Sequence, residues 1–155
     1  MNDTYINIYN NLVNLSRNKN LYKSFTKDDT FSDRLIILLL HFAFFIKIYS
    51  KSNDKDFLQK TYDYFFRQLE LSIREIGYGD VTINKKMKDY INIFHSILEK
   101  IQNWDNIEIS VKNNIINSFL NIDDKTHILI EYFDKFNKIL ANNSLNSFVK
   151  GVIKI

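Results

Sequence analysis

Apolar residues recur with the period of a helix along most of the chain. Between residues 54 and 76 they fall at Phe57, Leu58, Tyr62, Phe65, Phe66, Leu69, Ile73 and Ile76. That is the i, i+3, i+4, i+7 spacing of one helical face. Thr82 is a good N-cap for the next helix, which carries Ile83, Met87, Tyr90, Ile91, Phe94, Ile97, Leu98, Ile101 and Trp104 on one face. Near the start, Asn2 or Asp3 caps a helix with Tyr5, Ile6, Tyr9, Leu12 and Val13 together, and the polar stretch 16–20 ends it. Leu21, Tyr22 and Phe25 read as a short docking turn. Asp28, Asp29 and Thr30 then offer caps for a helix over 30–50. Residues 35–46 of that helix are apolar almost all round, which predicts the buried centre of a bundle. A dip into a membrane surface is the alternative. Further helices are predicted over 106–121 and over 124–141, the latter capped by Asp123 or Asp124. A last turn over 145–150 ends at Gly151, before an extended tail.

The pattern predicts one all-α domain, a compact bundle of about six helices with short connections, over residues 1–155. Composition agrees. The chain has no Pro, no Cys and only 3 Gly in 155 residues, which disfavours a turn-rich β fold. Absence of Cys excludes thiol catalysis, cysteine zinc sites and a disulfide scaffold. The 21 basic residues against 18 acidic ones leave a formal charge of +3. That mild excess permits an anionic partner without requiring one. Residues 1–20 show no apolar signal-peptide core, and the run 35–46 is too short to span a bilayer. The expectation is a cytoplasmic protein able to touch the inner membrane peripherally.

Catalytic constellations are not found. His41, His95 and His127 lie on separate predicted helices, outside any metal-binding spacing. His41, inside the apolar run, reads as a satisfied core histidine, His95 as a border residue and His127 as surface. Glu70 and Glu75 are not spaced to share a helix face. Gly77-Tyr78-Gly79 follows a helix, so it is not a dinucleotide fingerprint. No catalytic residue, metal or cofactor is expected.

One polar cluster remains, Arg74-Glu75-Ile76-Gly77-Tyr78-Gly79-Asp80-Val81, followed by Lys85, Lys86 and Lys88. Gly77 stands where a left-handed helix C-cap belongs. Arg74 and Asp80 can pair across the turn. The lysines stand near the start of a helix, where its dipole disfavours cations. The cluster reads either as an ordinary helical hairpin with solvated lysines or as a binding surface.

This stretch, with Phe94 beyond it, resembles the ubiquinol–cytochrome c chaperone family, whose segment reads approximately LREMGVGDLSV and then a basic KxMK-like turn. Phe31, Arg34, Leu35 and Leu38 to His41 are similar to the family's apolar helix. Tyr9 to Val13 with Leu21-Tyr22 resembles its N-terminal helix. The sequence departs from the family at Asn84, where a small residue or Pro is usual. It departs again at His95, Ser96 and Ile97, where Tyr-Gly-Arg is common. The resemblance implies an all-helical, non-enzymatic assembly factor of the cytochrome bc1 complex (mitochondrial members act on the matrix side). Its client would be newly made cytochrome b or another bc1 subunit, with a ribosome, membrane surface or protein co-chaperone as further partners and no DNA. It also implies that Arg74, Glu75, Gly77, Tyr78, Gly79, Asp80, Lys85, Lys86 and Lys88 form the binding surface, walled by the aromatic faces of the two flanking helices. A different class, a small basic RNA- or ribosome-associated helical protein, is the alternative.

Overall fold

The computed structural model describes residues 2–23, 31–51, 54–122 and 125–150. The predicted caps Asp28, Asp29, Thr30, Asp123 and Asp124, and also Phe25, Gly151 and the tail, lie outside the described residues. Seven α-helices are formed among the described residues: α1 (Asn2–Ser16), α2 (Phe31–Tyr49), α3 (Lys55–Glu75), α4 (Asp80–Lys100), α5 (Ile109–Leu120), α6 (His127–Asn142) and α7 (Leu145–Val149). Short 3-10 turns cover Lys19–Tyr22 and Trp104–Asn106. The bundle is all-α and compact, as the periodicity predicts.

Helix α2 is the centre. From Leu35 to Phe45 every residue is buried. One side of α2 presents Phe42, which stacks on Phe65 of α3 at 3.9 Å and lies 5.1 Å from Phe94 of α4. The other side presents His41 and Phe44 to Phe133 of α6, at 5.0 and 5.2 Å. A helix with apolar residues on every side can bury them only if neighbours stand on every side.

Three local expectations are corrected. Helix α4 begins at Asp80, not after Thr82. Gly79 takes the extended N-cap conformation (ψ 162°) and leaves the acidic Asp80 in the first turn, where the dipole favours it. Trp104 is not on α4. It sits in the following 3-10 turn, fully buried, with its indole N–H donating to Asp134 at 2.8 Å. In α1 the core residues are Ile8 and Leu12, whereas Ile6 is 44% exposed. The Asn-rich sequence of α1 blurs which of its apolar residues faces inward.

Ring contacts fix the helix directions. Tyr5 meets Phe57, and Tyr9 meets Phe65, with ring centroids 5.6 and 5.5 Å apart. Helices α1 and α3 therefore run in the same direction. Phe42 meets Phe65 while Leu35 and Leu38 share a cleft with Leu69, so α2 runs against them. One end of the bundle thus gathers the end of α1, the start of α2, the end of α3 and the start of α4.

Candidate functional site

The α3–α4 hairpin positions the polar cluster at that end. Helix α3 is fixed at its start by Asp54, whose carboxylate accepts from the Phe57 N–H at 2.9 Å. It ends at Gly77, which has φ +104°. An L side chain rarely adopts that backbone, while a Cβ added there would meet no atom within 4 Å. Gly77→Ala is therefore expected to cost about 1–3 kcal/mol from backbone strain alone. Gly79, at φ −74°, has equally open surroundings. Gly79→Ser would supply the missing N-cap oxygen and is expected to leave stability equal or raise it by a few tenths of a kcal/mol. Thermal melts of the two variants check both expectations.

Arg74 and Asp80 are brought together across the turn, Nη1 to Oδ1 at 2.7 Å, and Glu70 adds a second carboxylate 3.7 Å from Arg74. The Asp80 hydrogen bond, foremost, holds the guanidinium above its ordinary pKa. Lys86 lies 4.8 Å over the Tyr78 ring, a cation–π contact that folds the turn's aromatic back on α4. Glu75, Lys85 and Lys88 are exposed. Because α4 starts at Asp80, these lysines stand in its second and third turns, where the dipole has largely faded. Their location is less anomalous than the sequence implies.

The turn also exposes apolar surface. Val81 is 85% exposed and Ile76 51%, although Ile76 has the spacing of a core position. The helix has ended by then, so its periodicity no longer places the side chain. The expected aromatic wall, in contrast, is turned inward: Phe65, Phe66 and Phe94 are buried against α2. The open groove between α3 and α4, about 580 Å³ with Leu58, Tyr62, His95 and Leu98 on its sides, lies toward the other end. Thirteen residues of helix separate Tyr62 from Glu75, about 20 Å at 1.5 Å per residue. The turn and this groove are separate surfaces.

The histidines fall where the pattern places them. His41 is fully buried; its Nδ1–H donates to the Ile37 carbonyl at 2.8 Å, and its Nε2 accepts from the Tyr132 hydroxyl at 2.6 Å. A main-chain carbonyl can only accept, so Nδ1 carries a proton, and burial keeps the ring neutral. Burial pushes its pKa down to about 4, against the opposing bond to Ile37. His95 is exposed beside the Tyr62 hydroxyl, 2.9 Å away, and His127 is exposed. Among the described residues no group of three His, Asp or Glu side chains could hold a metal ion. No described helix is long and apolar enough to cross a membrane.

A buried charge escaped the sequence reading. Lys47 on α2 is 2% exposed and bonds the Asn137 side-chain oxygen at 3.0 Å and Asp105 at 3.4 Å. Asn137 donates in turn to Asp105. Burial, more than the opposing Asp105 charge, lowers the Lys47 pKa. The available signal was a lysine immediately after an uninterrupted apolar run, where a partner is obligatory. Asp105→Ala is expected to destabilise by about 1–3 kcal/mol, because Lys47 stays buried with one partner fewer. Urea titration with Asp105→Asn as the milder control checks it.

The hairpin, the core aromatics that carry it and the central helix are contiguous in sequence, and they coincide with a family match. No curated protein and no solved structure matches the chain. The model of the family described as ubiquinol-cytochrome C chaperone matches residues 23–104, more than half of the chain. The match takes in α2, α3, α4 and the Arg74–Asp80 turn, and leaves out α1 and α5 to α7. On that match, the chain belongs to the ubiquinol–cytochrome c chaperone family.

Proposed function

We propose that residues 1–155 act as one non-enzymatic chaperone domain that holds newly made cytochrome b for assembly into the cytochrome bc1 complex. Membership in the family supports a chaperone role in assembly of that complex. Cytochrome b as client, and the turn at 77–80 as its contact, are the finer part of the reading. The observation that carries it is the composition of the turn. Val81, Ile76 and Tyr78 expose apolar surface within the same short segment as Lys85, Lys86 and Lys88. A hydrophobic membrane client approaching at a lipid surface requires both kinds of contact. Such a protein works at the inner membrane, from the cytoplasmic or matrix side.

The test is capture of the tagged chain from detergent-solubilised membranes, with cytochrome b expected to co-purify. Reversing Lys85, Lys86 and Lys88 to Glu is expected to lower cytochrome b accumulation several-fold while the protein stays folded. Unchanged accumulation would remove the turn from the contact. The nucleic-acid alternative needs aromatic platforms open for base stacking. Most of the ring contacts here join core side chains, led by the Phe42–Phe65 stack, so that reading gains no support.

A further inference from the structure

The end of the bundle that carries the turn also holds an opening of its own. A cleft of about 480 Å³ lies between the end of α1, the 3-10 turn Lys19–Tyr22, the start of α2 and the end of α3. Its size falls within the usual range for small-molecule sites. Val13, Leu35, Leu38 and Leu69 form an aliphatic floor. Phe31, 45% exposed, stands at the opening. Among its described lining residues Arg17, Lys19 and Arg34 are cations and none is acidic.

The polar groups of the lining are informative for a different reason. The Ser16 hydroxyl donates to the Val13 carbonyl at 2.9 Å, Ser72 to Gln68 at 3.0 Å, and Tyr22 to Ser16 at 2.7 Å. The protons of these three hydroxyls are thus engaged within the protein. An extended peptide in the cleft would bring N–H and C=O groups that need directed partners. A hydrocarbon chain brings none, and its anionic head would meet the three cations.

We propose that this cleft binds one anionic phospholipid of the membrane surface, with the phosphate held among Arg17, Lys19 and Arg34 and an acyl chain laid on the aliphatic floor. Bound in this way, the lipid presents the basic end of the bundle, and with it the turn at 77–80, to the membrane. The site does not depend on cytochrome b being the client, and it is tested without a client.

The experiment is vesicle flotation of the full chain with phosphatidylglycerol in phosphatidylcholine, against phosphatidylcholine alone. Binding is expected to the anionic vesicles only. The triple variant Arg17→Gln, Lys19→Gln, Arg34→Gln is expected to bind about a hundredfold more weakly, three cations each contributing roughly tenfold or less. Ser72→Phe, which narrows the cleft at constant charge, and Phe31→Trp, a reporter at the opening, separate insertion from adhesion. Phosphatidylglycerol with brominated acyl chains is expected to quench the emission of the indole introduced by Phe31→Trp, and adding Ser72→Phe is expected to abolish that quenching. Circular dichroism establishes that each variant is folded. The proposal is overturned if the anionic vesicles are ignored, or if quenching is absent. It is also overturned if neutralising Lys85, Lys86 and Lys88 weakens binding as much as neutralising the cleft, which would make the attraction a diffuse surface effect. Binding of an acidic client peptide on the same floor, with no vesicle binding by the free protein, would overturn the proposal and assign the cleft to protein docking instead.

Discussion

Phe42→Ala is expected to lower the unfolding free energy by about 3–5 kcal/mol, a large part of the ~5–15 kcal/mol typical of a domain. Phe42 is fully buried, stacked face to face on Phe65 at 3.9 Å, with Phe94 at 5.1 Å and Phe66 at 6.1 Å. Its truncation removes the ring on which both α3 and α4 lean. The surrounding rings come from helices whose backbones are held elsewhere, so they cannot all collapse into the space. At about 2–4 °C per kcal/mol for a chain of this size, the melting temperature falls by roughly 6–20 °C. Phe42→Leu, which keeps most of the volume, loses about half as much or less. A Phe42→Ala melt within about 3 °C of the wild type would show that the α2–α3–α4 stack does not bear the fold. The consequence for function is indirect but strong: the turn at 77–80 is carried by the hairpin those rings secure.

Acidification is expected to produce the second large loss. His41 has a pKa of about 4 in the folded protein because burial disfavours the charged ring, against an ordinary value near 6.5 in the unfolded chain. A neutral folded ring binds fewer protons than the unfolded one between these values. Stability is therefore fully present above about pH 6.5 and declines as the pH falls toward 4. The loss attributable to this one ring is about 3 kcal/mol. The measurement is taken as a difference between two proteins, so that contributions from other groups cancel. Denaturant unfolding of wild type and His41→Gln is followed from pH 7 to pH 4. His41→Gln is expected to be less stable at pH 7, since it disturbs the Ile37 and Tyr132 bonds, yet to have the shallower pH dependence. Equal slopes for the two proteins would refute the assignment. Tyr132→Phe, which removes the donor to Nε2, is expected to make the acid loss smaller, because the bond it breaks favours the neutral ring.

The parts of this fold that were readable in the sequence are those where one physical signal dominated. Period 3.6 placed α3 and the core face of α4. The unbroken apolar run placed α2 at the centre, and φ-permissive Gly77 marked the end of α3. The Arg74–Asp80 pair followed from spacing and opposite charge. The errors arose where two signals competed. Thr82 is a better N-cap by residue type than Gly79, but the acidic Asp80 and the extended conformation of Gly79 moved the start of α4 toward the turn. Ile76 matched the helical repeat after the helix had stopped. Phe65, Phe66 and Phe94 looked available as a binding wall because periodicity shows that a face is apolar and not what covers it. The cleft at Arg17, Lys19 and Arg34 was not readable at all. It is assembled from three helices and a turn, and no local pattern encodes how those elements meet.

Helix α2 has a timing consequence. Its Phe42 side is satisfied by α3 and α4, which follow directly, but His41, Phe44 and Lys47 wait for α6. Translation must proceed 78 residues beyond Tyr49 to reach His127, where α6 begins. At about 5–20 residues per second this takes roughly 4–16 s. During that interval the nascent chain carries a nearly complete apolar cylinder with one flank bare and a lysine embedded in it. Such a segment resembles, for those seconds, the membrane helices of the proposed client, and it is exposed to the same hazards of misdirected insertion and aggregation.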